Sequence, residues 1–312
     1  MSSVTEQTPR PLVSVVIPCF NQAHFLPFAI ASAFSQEYRP LEVLVIDDGS
    51  TDATENVAKS NGAHVVRQEH GDVSSARNHG LAIAGGEFVV FLDADDELLP
   101  GAVASGVSIL QHHTAAACVV GRAQLIDAGG RPLPTTHTGP QPGDLYPQLL
   151  VRNFVYTPGA AVFRRSVLRE LNGFREDATA AADYALYLTL ARRRQMITEP
   201  RLVVAYRQHS ANMSRDAPRM LRSTLAVLKR ERPHVPPVYA AAYQEGLKAW
   251  QLYFGDQIAS QLQAAVRHRS WSLRDARALG TFAMHAPGVL FAHVRRKVAR
   301  LARGGRAVEL RQ

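Results

Sequence analysis

Cysteine is scarce in this sequence. The 312-residue chain contains only two, Cys19 and Cys118, which lie far apart and in no pattern typical of a metal site. Two isolated thiols cannot build the disulfide network on which small secreted proteins depend. The composition therefore excludes that class of protein and favours a reducing compartment, so we expect a cytoplasmic protein.

Long apolar runs are also missing. A membrane-spanning helix needs roughly 18 to 20 consecutive apolar residues. The nearest candidate, 281–294, is too short and contains His285, Pro287 and His293. Residues 1–11 are polar and lack the apolar core of a secretion signal, so we expect a disordered lead-in there. Any contact with a membrane is therefore expected to be peripheral, at its inner face.

Acidic residues are few in the last third of the chain. Residues 201–312 contain 20 lysines and arginines against 6 acidic residues, whereas residues 1–200 contain 15 against 21. The net charge of +8 thus combines an acidic part with a strongly basic part. The basic part favours an anionic partner, such as lipid headgroups, a phosphorylated acceptor or nucleic acid, although a solvated arginine-rich face has the same composition.

The first hundred residues alternate between strand and helix patterns. Continuous β-branched runs predict buried strands, and the segments between them have helical periodicity. This alternation is typical of an α/β fold with a mostly parallel sheet flanked by helices, as in Rossmann-like nucleotide-binding domains. Strands are predicted at 13–17, 41–46, 64–68 and 87–92, and helices at 24–36, 51–60 and 73–84.

Past residue 100 the alternation is less regular. Residues 127–143 are rich in Gly, Pro and Thr, which predicts a long loop. We expect a catalytic or binding domain at 12–215 and a basic, mainly helical C-terminal region at 216–312. Helices are predicted at 99–112, 145–152, 165–171 and 181–195, and strands at 115–126 and 197–207.

Polar side chains follow three of the predicted strands at the point where each strand ends. The first strand continues into PCFN, the second into DDGSTD and the fourth into DADD. Because the carboxyl ends of parallel strands meet at one edge of an open sheet, these segments should lie together in the crevice where such sheets bind ligands. Several carboxylates in one place repel one another, which indicates a bound cation.

The segment FLDADDELLP concentrates this negative charge. Asp93 and Asp95 stand at i and i+2 of an extended segment and should point the same way. Such oxygen ligands favour Mg²⁺ or Mn²⁺, which completes its shell with water and phosphate oxygens, so the expected occupant is a metal–diphosphate. Asp96 and Glu97 are expected to begin the next helix, whose positive end suits acidic side chains. An acidic turn that only caps this helix would have the same sequence.

Two neighbouring segments carry further candidates. Adjacent strand residues point to opposite faces, so one of Asp47 and Asp48 is expected to reach a ligand and the other to hold the loop. Gly49 permits the tight turn that follows. Arg77, one turn into a predicted helix, could clamp a diphosphate or balance the local carboxylates.

The segments VSVVIPCFNQ, EVLVIDDGSTDAT, SSARNHGLAIAGGEFVVFLDADD and RRSVLRELNGFRED together resemble family 2 glycosyltransferases with the GT-A fold, over roughly residues 12–215. The resemblance implies a nucleotide-sugar donor, Mn²⁺ or Mg²⁺ as cofactor and a glycan or lipid-linked glycan as acceptor. It also implies that Asp93 and Asp95 form a D-x-D metal motif. The positions it implies for binding the nucleotide sugar are Pro18, Phe20, Asn21, Asp47, Asp48, Arg77, Asp93 and Ala94.

The resemblance also implies a catalytic base. In the family a Glu-Asp pair opens a helix that matches AADYALYLTLARR, where the aspartate is Asp183 and the preceding residue is Ala182. Asp183 is therefore implied to take the proton of the acceptor hydroxyl in a single displacement that inverts the anomeric centre. The departure at Ala182 leaves open a degenerate protein that binds the nucleotide sugar without transferring it. An aspartate at a helix N-terminus is also favoured by the helix dipole alone.

The segment VVAYRQHSANMS resembles the Y-R-x-H segment of the family. It implies that His209 binds the metal or the diphosphate, with help from Arg207, although a lone histidine is usually structural. Residues 157–159 are implied to shape the acceptor pocket. A sugar-1-phosphate nucleotidyltransferase, a second enzyme class with a similar sheet, would carry a basic, glycine-rich loop after the first strand, which PCFNQAH lacks.

Residues 287–303, PGVLFAHVRRKVARLAR, have the pattern of a basic amphipathic helix that starts at Pro287. Phe291, Val294, Val298 and Leu301 form an apolar stripe among arginines. The pattern is typical of peripheral membrane contact, although a helix packed on the protein with its arginines in water has the same pattern. No nucleic-acid partner is expected, because no aromatic residues alternate with the arginines.

Overall fold

The computed structural model describes residues 10–134 and 139–296. The chain divides into two compact units, one formed by residues up to 149 together with 153–209, the other by 150–152 and the residues from 210 onward. Three predictions fall partly outside the described residues: the lead-in over 1–9, the loop over 135–138 and the tail helix over 297–303.

The strands all lie in the first unit, as far as the described residues show. The strands β1, β2 and β4 are buried, as their continuous β-branched runs predict. In chain order the strands are β1 (Val13–Cys19), β2 (Leu41–Asp47), β3 (His64–Arg67), β4 (Phe88–Phe91), β5 (Glu97–Leu98), β6 (Ala116–Asp127), β7 (Ala161–Arg164) and β8 (Gln195–Gln208).

These strands form one mixed sheet in the order β3-β2-β1-β4-β7-β6-β8-β5. The first four strands in this order are parallel to one another. β7 runs antiparallel to both β4 and β6, β6 and β8 are parallel, and β5 runs antiparallel to β8. The predicted α/β architecture is confirmed, but β5 and β7, which introduce the antiparallel pairs, were not predicted.

Helices flank this sheet, and the close approach of one of them requires a glycine. On α3 a Cβ atom at Gly80 would lie 2.2 Å from Cγ1 of Val16 on β1, so a larger residue would push the helix away. In chain order the helices are α1 (Leu26–Phe34), α2 (Thr54–Ser60), α3 (Val73–Ile83), α4 (Ala102–His112), α5 (Leu145–Val151), α6 (Arg165–Glu170), α7 (Ala182–Arg193), α8 (Ala217–Glu231), α9 (Ala240–Arg267) and α10 (Leu273–His285).

The helix after the acidic segment begins later than predicted. α4 starts at Ala102, after Gly101 with its left-handed φ of 77°. Glu97 instead belongs to β5, and Asp96 is fully buried with its Oδ1 accepting the backbone N–H of Arg207 at 3.0 Å. The prediction that Asp96 and Glu97 begin the helix was wrong, because β5 pairs with β8, a strand distant in sequence.

The second unit is helical in its described part. α8, α9 and α10 pack around an apolar core, and residues 287–296 form a further helical segment whose Val289 and Leu290 pack against the same core. Among the described residues, no helix combines the length and the apolar character needed to cross a membrane. The core side chains include Leu221, Phe254, Ile258, Leu262 and Phe282.

Candidate functional site

A buried arginine anchors the acidic segment that follows β4. Nη2 of Arg77, on α3, donates to Oδ1 of Asp93 at 2.6 Å, and its guanidinium lies 5.2 Å from the centre of the Phe174 ring. The Arg77 side chain is only 7% exposed. The hydroxyl of Thr157 donates to the other carboxylate oxygen of Asp93 at 3.3 Å. Asp93 is therefore held from two sides.

The same arginine acts on Asp183, at the start of α7. Burial raises the pKa of Asp183, and the charge of Arg77 opposes this shift in part. Burial also acts to lower the pKa of Arg77, but the charges of Asp93 and Asp183 outweigh it, so the arginine stays charged. The backbone N–H of Tyr184 donates to Oδ1 of Asp183 at 2.8 Å and orients the carboxylate. The result is a carboxylate that is more basic than an ordinary aspartate.

One functional candidate beside Asp183 escaped the sequence reasoning. Tyr187 lies one turn further along α7, is fully buried, and has no hydrogen-bond partner for its hydroxyl among the described residues. Burial raises the pKa of Tyr187 well above its ordinary value, with Asp183 and Asp93 adding to the shift and Arg77 opposing it. The i, i+4 spacing from Asp183 was the available signal, because it places both side chains on one helix face.

Asp95 and His209 form the second pair of the site. Nε2 of His209 lies 2.9 Å from Oδ2 of Asp95, and its ring packs 4.9 Å from the ring of Phe25 between centroids. Burial raises the pKa of Asp95, and the negative charge of Asp93 raises it further. The two predicted metal-binding carboxylates therefore repel each other in the absence of added positive charge.

This donor set fits a divalent cation that takes further ligands from a bound diphosphate. Two carboxylates and an imidazole are ligands that Mn²⁺ accepts, and Mg²⁺ is typically held by one or two carboxylates with phosphate and water oxygens. Within residues 10–134 and 139–296, no group of three or more His, Cys, Asp or Glu side chains is arranged to hold a metal by itself. The three residues predicted as metal ligands, Asp93, Asp95 and His209, therefore do not form such a group by themselves.

Arg207 bonds to the backbone and side chains of the segments around the acidic turn. Its Nε donates to the carbonyl of Asp95 at 2.8 Å, its Nη1 to the carbonyl of Ala128 at 3.1 Å, and its Nη2 to the carboxylate of Glu97. The guanidinium also lies over the ring of Phe25. Arg207 thus fixes the backbone of the acidic segment, a role that the sequence did not show.

Asp47 and Asp48 end β2 and are both buried. Asp47 accepts the backbone N–H of Ser50 and pairs with Arg67, both at 2.9 Å, so it holds the loop. Asp48 accepts from Gln68 at 2.7 Å and from the backbone N–H of Gly71 at 3.0 Å. Its second carboxylate oxygen lies 3.0 Å from Nδ1 of His70.

The loop after β1 lies beside these residues. Asn21, with a left-handed φ of 53°, accepts the backbone N–H of Thr51 at 2.8 Å and so ties this loop to the loop after β2. Phe20 is 41% exposed and stacks on His70 with ring centroids 4.1 Å apart. Pro18 and Ala94, two further predicted binding positions, are buried in the chain segments that lead to the site.

The sheet therefore brings the predicted residues to one edge in the way its topology requires. β1, β2 and β4 are adjacent and parallel, so the loops that carry Asn21, Asp48 and Asp93 lie side by side. Arg77 then connects Asp93 electrostatically to Asp183. An edge that carries acidic and aromatic side chains beside the buried guanidinium of Arg77 is suited to a polar, phosphorylated ligand.

Sequence comparison identifies the family to which this α/β fold belongs. The profile of glycosyl transferase family 2 matches residues 14–171, about half of the chain, so the protein belongs to this family. The GalNAc(5)-diNAcBac-PP-undecaprenol beta-1,3-glucosyltransferase of Campylobacter jejuni is 38% identical over 102 residues, which cover 30% of this chain and 33% of that protein. The chain spans between about a fifth and a third of the length of such curated relatives.

Solved structures show the same GT-A fold. The TarS protein of Staphylococcus aureus (residues 1–349), in complex with UDP-GlcNAc, superposes with a TM-score of 0.62 at 16% identity, with 91% of each chain covered. The mannosyltransferase PcManGT of Pyrobaculum calidifontis, in complex with GDP-Man and Mn²⁺, superposes with a TM-score of 0.56 at 22% identity, covering 90% of this chain and 82% of that one.

Proposed function

We propose that the protein transfers a sugar from a nucleotide-diphosphate sugar to a hydroxyl group of a glycan or lipid-linked glycan, with inversion at the anomeric carbon. The observation that carries this proposal is the arrangement around Arg77. One buried guanidinium bonds to Asp93, where the donor diphosphate would lie, and acts electrostatically on Asp183, where the base would lie. We assign this reaction to residues 12–215.

Asp183 would act as the general base. Its carboxylate takes the proton of the acceptor hydroxyl while the hydroxyl oxygen forms a bond to the anomeric carbon. The bond from that carbon to the diphosphate oxygen breaks, and its electron pair leaves with the nucleoside diphosphate. The raised pKa suits Asp183 to this role, because a more basic carboxylate accepts the proton more readily.

The donor would bind along the edge formed by the loops after β1, β2 and β4. Phe20 presents an exposed ring for stacking on a base. Asp48 and Asn21 would bind its polar groups by exchanging the bonds that they now accept from Gln68 and from the backbone of Thr51. Asp93, Asp95 and His209 would hold Mn²⁺ or Mg²⁺, which would supply positive charge to the departing diphosphate. Complexes of two proteins with this fold, one with UDP-GlcNAc and one with GDP-Man and Mn²⁺, support both parts of this proposal.

A donor screen with a transfer assay tests the proposal. A thermal-shift screen of nucleotide sugars with and without Mn²⁺ should show one donor that raises the melting temperature in a metal-dependent way. With that donor, the product of transfer to a glycan acceptor should have the opposite anomeric configuration, read by NMR. Retention of configuration would contradict the proposed single displacement.

A degenerate donor-binding protein is the second candidate, because of Ala182. This residue is buried and offers no second carboxylate beside Asp183. Slow, metal-dependent hydrolysis of the donor without an acceptor separates the two candidates. A catalytic site releases free sugar and nucleoside diphosphate, whereas a protein that only binds the donor leaves it intact.

A further inference from the structure

The turn between α9 and α10, residues 267–274, has a geometry that its sequence does not favour. α9 ends in a Schellman motif, in which the backbone N–H of Arg269 bonds to the carbonyl of Val266 at 3.2 Å and that of Ser270 to the carbonyl of Ala265 at 2.9 Å. Arg269 occupies the left-handed position of this motif with a φ of 52°. Glycine is the residue that favours this position, so an arginine there has a conformational cost.

Two large apolar side chains project from the same turn into solvent. Trp271 is 48% exposed and Leu273 is 80% exposed. Between them Ser272 caps α10 through a capping box with Asp275, in which each residue bonds to the backbone of the other. This cap fixes the backbone of the turn and so holds the apolar pair in its exposed position.

The segment 267–277, which comprises this turn and the beginning of α10, contains four arginines and one acidic residue. The acidic residue of the segment, Asp275, is buried, bonded to Ser272 and 3.2 Å from the side-chain amide of Gln261. None of the four arginine guanidinium groups of the segment forms a hydrogen bond or ion pair with another described residue, and all four side chains are exposed. These four are Arg267, Arg269, Arg274 and Arg277.

We propose that this turn docks the protein on a bilayer surface that carries anionic headgroups, with Trp271 and Leu273 inserted at the interface and the arginines on the phosphates. Tryptophan favours the membrane–water boundary, because its ring is apolar and its indole N–H is polar. Each arginine near an anionic surface adds attraction that falls off within a Debye length. A stable protein–protein interface buries a broader patch than the side chains of Trp271 and Leu273 provide. The proposal is independent of the transfer reaction and of the predicted contact through residues 287–303.

Vesicle binding by the full-length protein tests the proposal. The protein should sediment with phosphatidylcholine vesicles that contain phosphatidylglycerol, and not with vesicles of phosphatidylcholine alone. The double variant Trp271→Ser, Leu273→Gln should bind at least about tenfold more weakly, because it loses the inserted apolar surface. The matched control is Val238→Gln, which changes a 77% exposed apolar residue before the other end of α9 and should bind like the wild type.

A second variant separates docking from folding. Arg269→Gly relieves the left-handed strain, so its melting temperature should stay the same or rise. Its affinity for the anionic vesicles should nevertheless fall about fivefold, since one cation near the surface is lost. A variant that bound as tightly as the wild type would overturn the role of this arginine.

The fluorescence of the turn gives a direct readout. Trp250 is the only other tryptophan in the sequence, so Trp250→Phe leaves Trp271 as the reporter. Its emission should shift to the blue on anionic vesicles and be quenched by brominated lipid. Unchanged emission would overturn the proposal. So would a concentration-dependent dimer in analytical ultracentrifugation that the double variant abolishes, because the tip would then be a protein interface.

Discussion

Arg77 and Asp93 form an ion pair, 2.6 Å between Nη2 and Oδ1, in which the arginine is nearly inaccessible to solvent. Replacing Arg77 with methionine leaves Asp93 without its main partner. We expect a loss of about 2 to 3 kcal/mol in the free energy of unfolding, less than for a fully buried pair because the Asp93 side chain is 26% exposed. Urea denaturation measures this change. The control Arg175→Met breaks an exposed pair with Asp177 and should cost less than about 0.5 kcal/mol.

The variant Asp183→Asn should fold normally but lose transfer. Loss of a general base lowers kcat by about 10²- to 10⁴-fold. Donor binding should remain, because we place Asp183 on the acceptor side of the anomeric carbon, so the thermal shift by donor and Mn²⁺ should be unchanged. The control is Asp177→Asn, an exposed carboxylate shortly before α7. A variant with normal kcat would remove Asp183 from the role of base.

The pH profile of transfer should report the basicity of Asp183. The base must be unprotonated, and burial raises its pKa, so kcat/KM should fall on the acid side with an apparent pKa above that of an ordinary aspartate. Arg77 lowers this pKa, so Arg77→Gln should move the acid limb to higher pH. Arg77→Lys keeps a positive charge and should move it less. A shift to lower pH in the glutamine variant would contradict the assigned coupling.

The four-residue segment DADD should divide into a metal ligand and a structural carboxyl. Asp95→Asn should abolish the Mn²⁺-dependent part of the donor thermal shift while leaving the melting temperature of the free protein nearly unchanged. Asp96→Asn should leave the Mn²⁺-dependent donor shift in place and should change the melting temperature of the free protein. Burial, with the charges of Asp95 and Asp93, raises the pKa of Asp96 well above its ordinary value, so a neutral side chain suits this position. Mn²⁺-dependent donor binding that survives in Asp95→Asn would exclude this residue as a ligand.

The sequence was sufficient to predict the half of the sheet that is formed by β1, β2, β3 and β4. Three of its strands, β1, β2 and β4, are buried, so their apolar runs and the polar residues at their ends identify them. The close packing of α3 could not be predicted. In the sequence, Gly80 is only a residue that disfavours helix, and its contact with Val16 appears only in the folded structure.

The other half of the sheet depends on pairs that no local pattern encodes. β5 has two residues and β7 has four, and each is stabilised by strands distant in sequence. The role of Arg207 was missed for the same reason, because its partners Asp95, Glu97 and Ala128 all lie far from it in the sequence. In the sequence, Arg207 stands two residues before His209. This pattern fits a ligand-binding site as well as a structural one.

The contacts of Asp48 bear on how strictly the enzyme would choose its nucleotide. Its carboxylate is already bonded to Gln68, to the backbone of Gly71 and to His70. A nucleoside that takes this carboxylate exchanges one partner for another, so the net gain from a matching base is small. A base that displaces His70 without offering a donor leaves a desolvated charge, which is costly. Fidelity would then come from the penalty on the wrong nucleotide rather than from strong attraction to the right one, and donor affinity would stay modest while discrimination stays high.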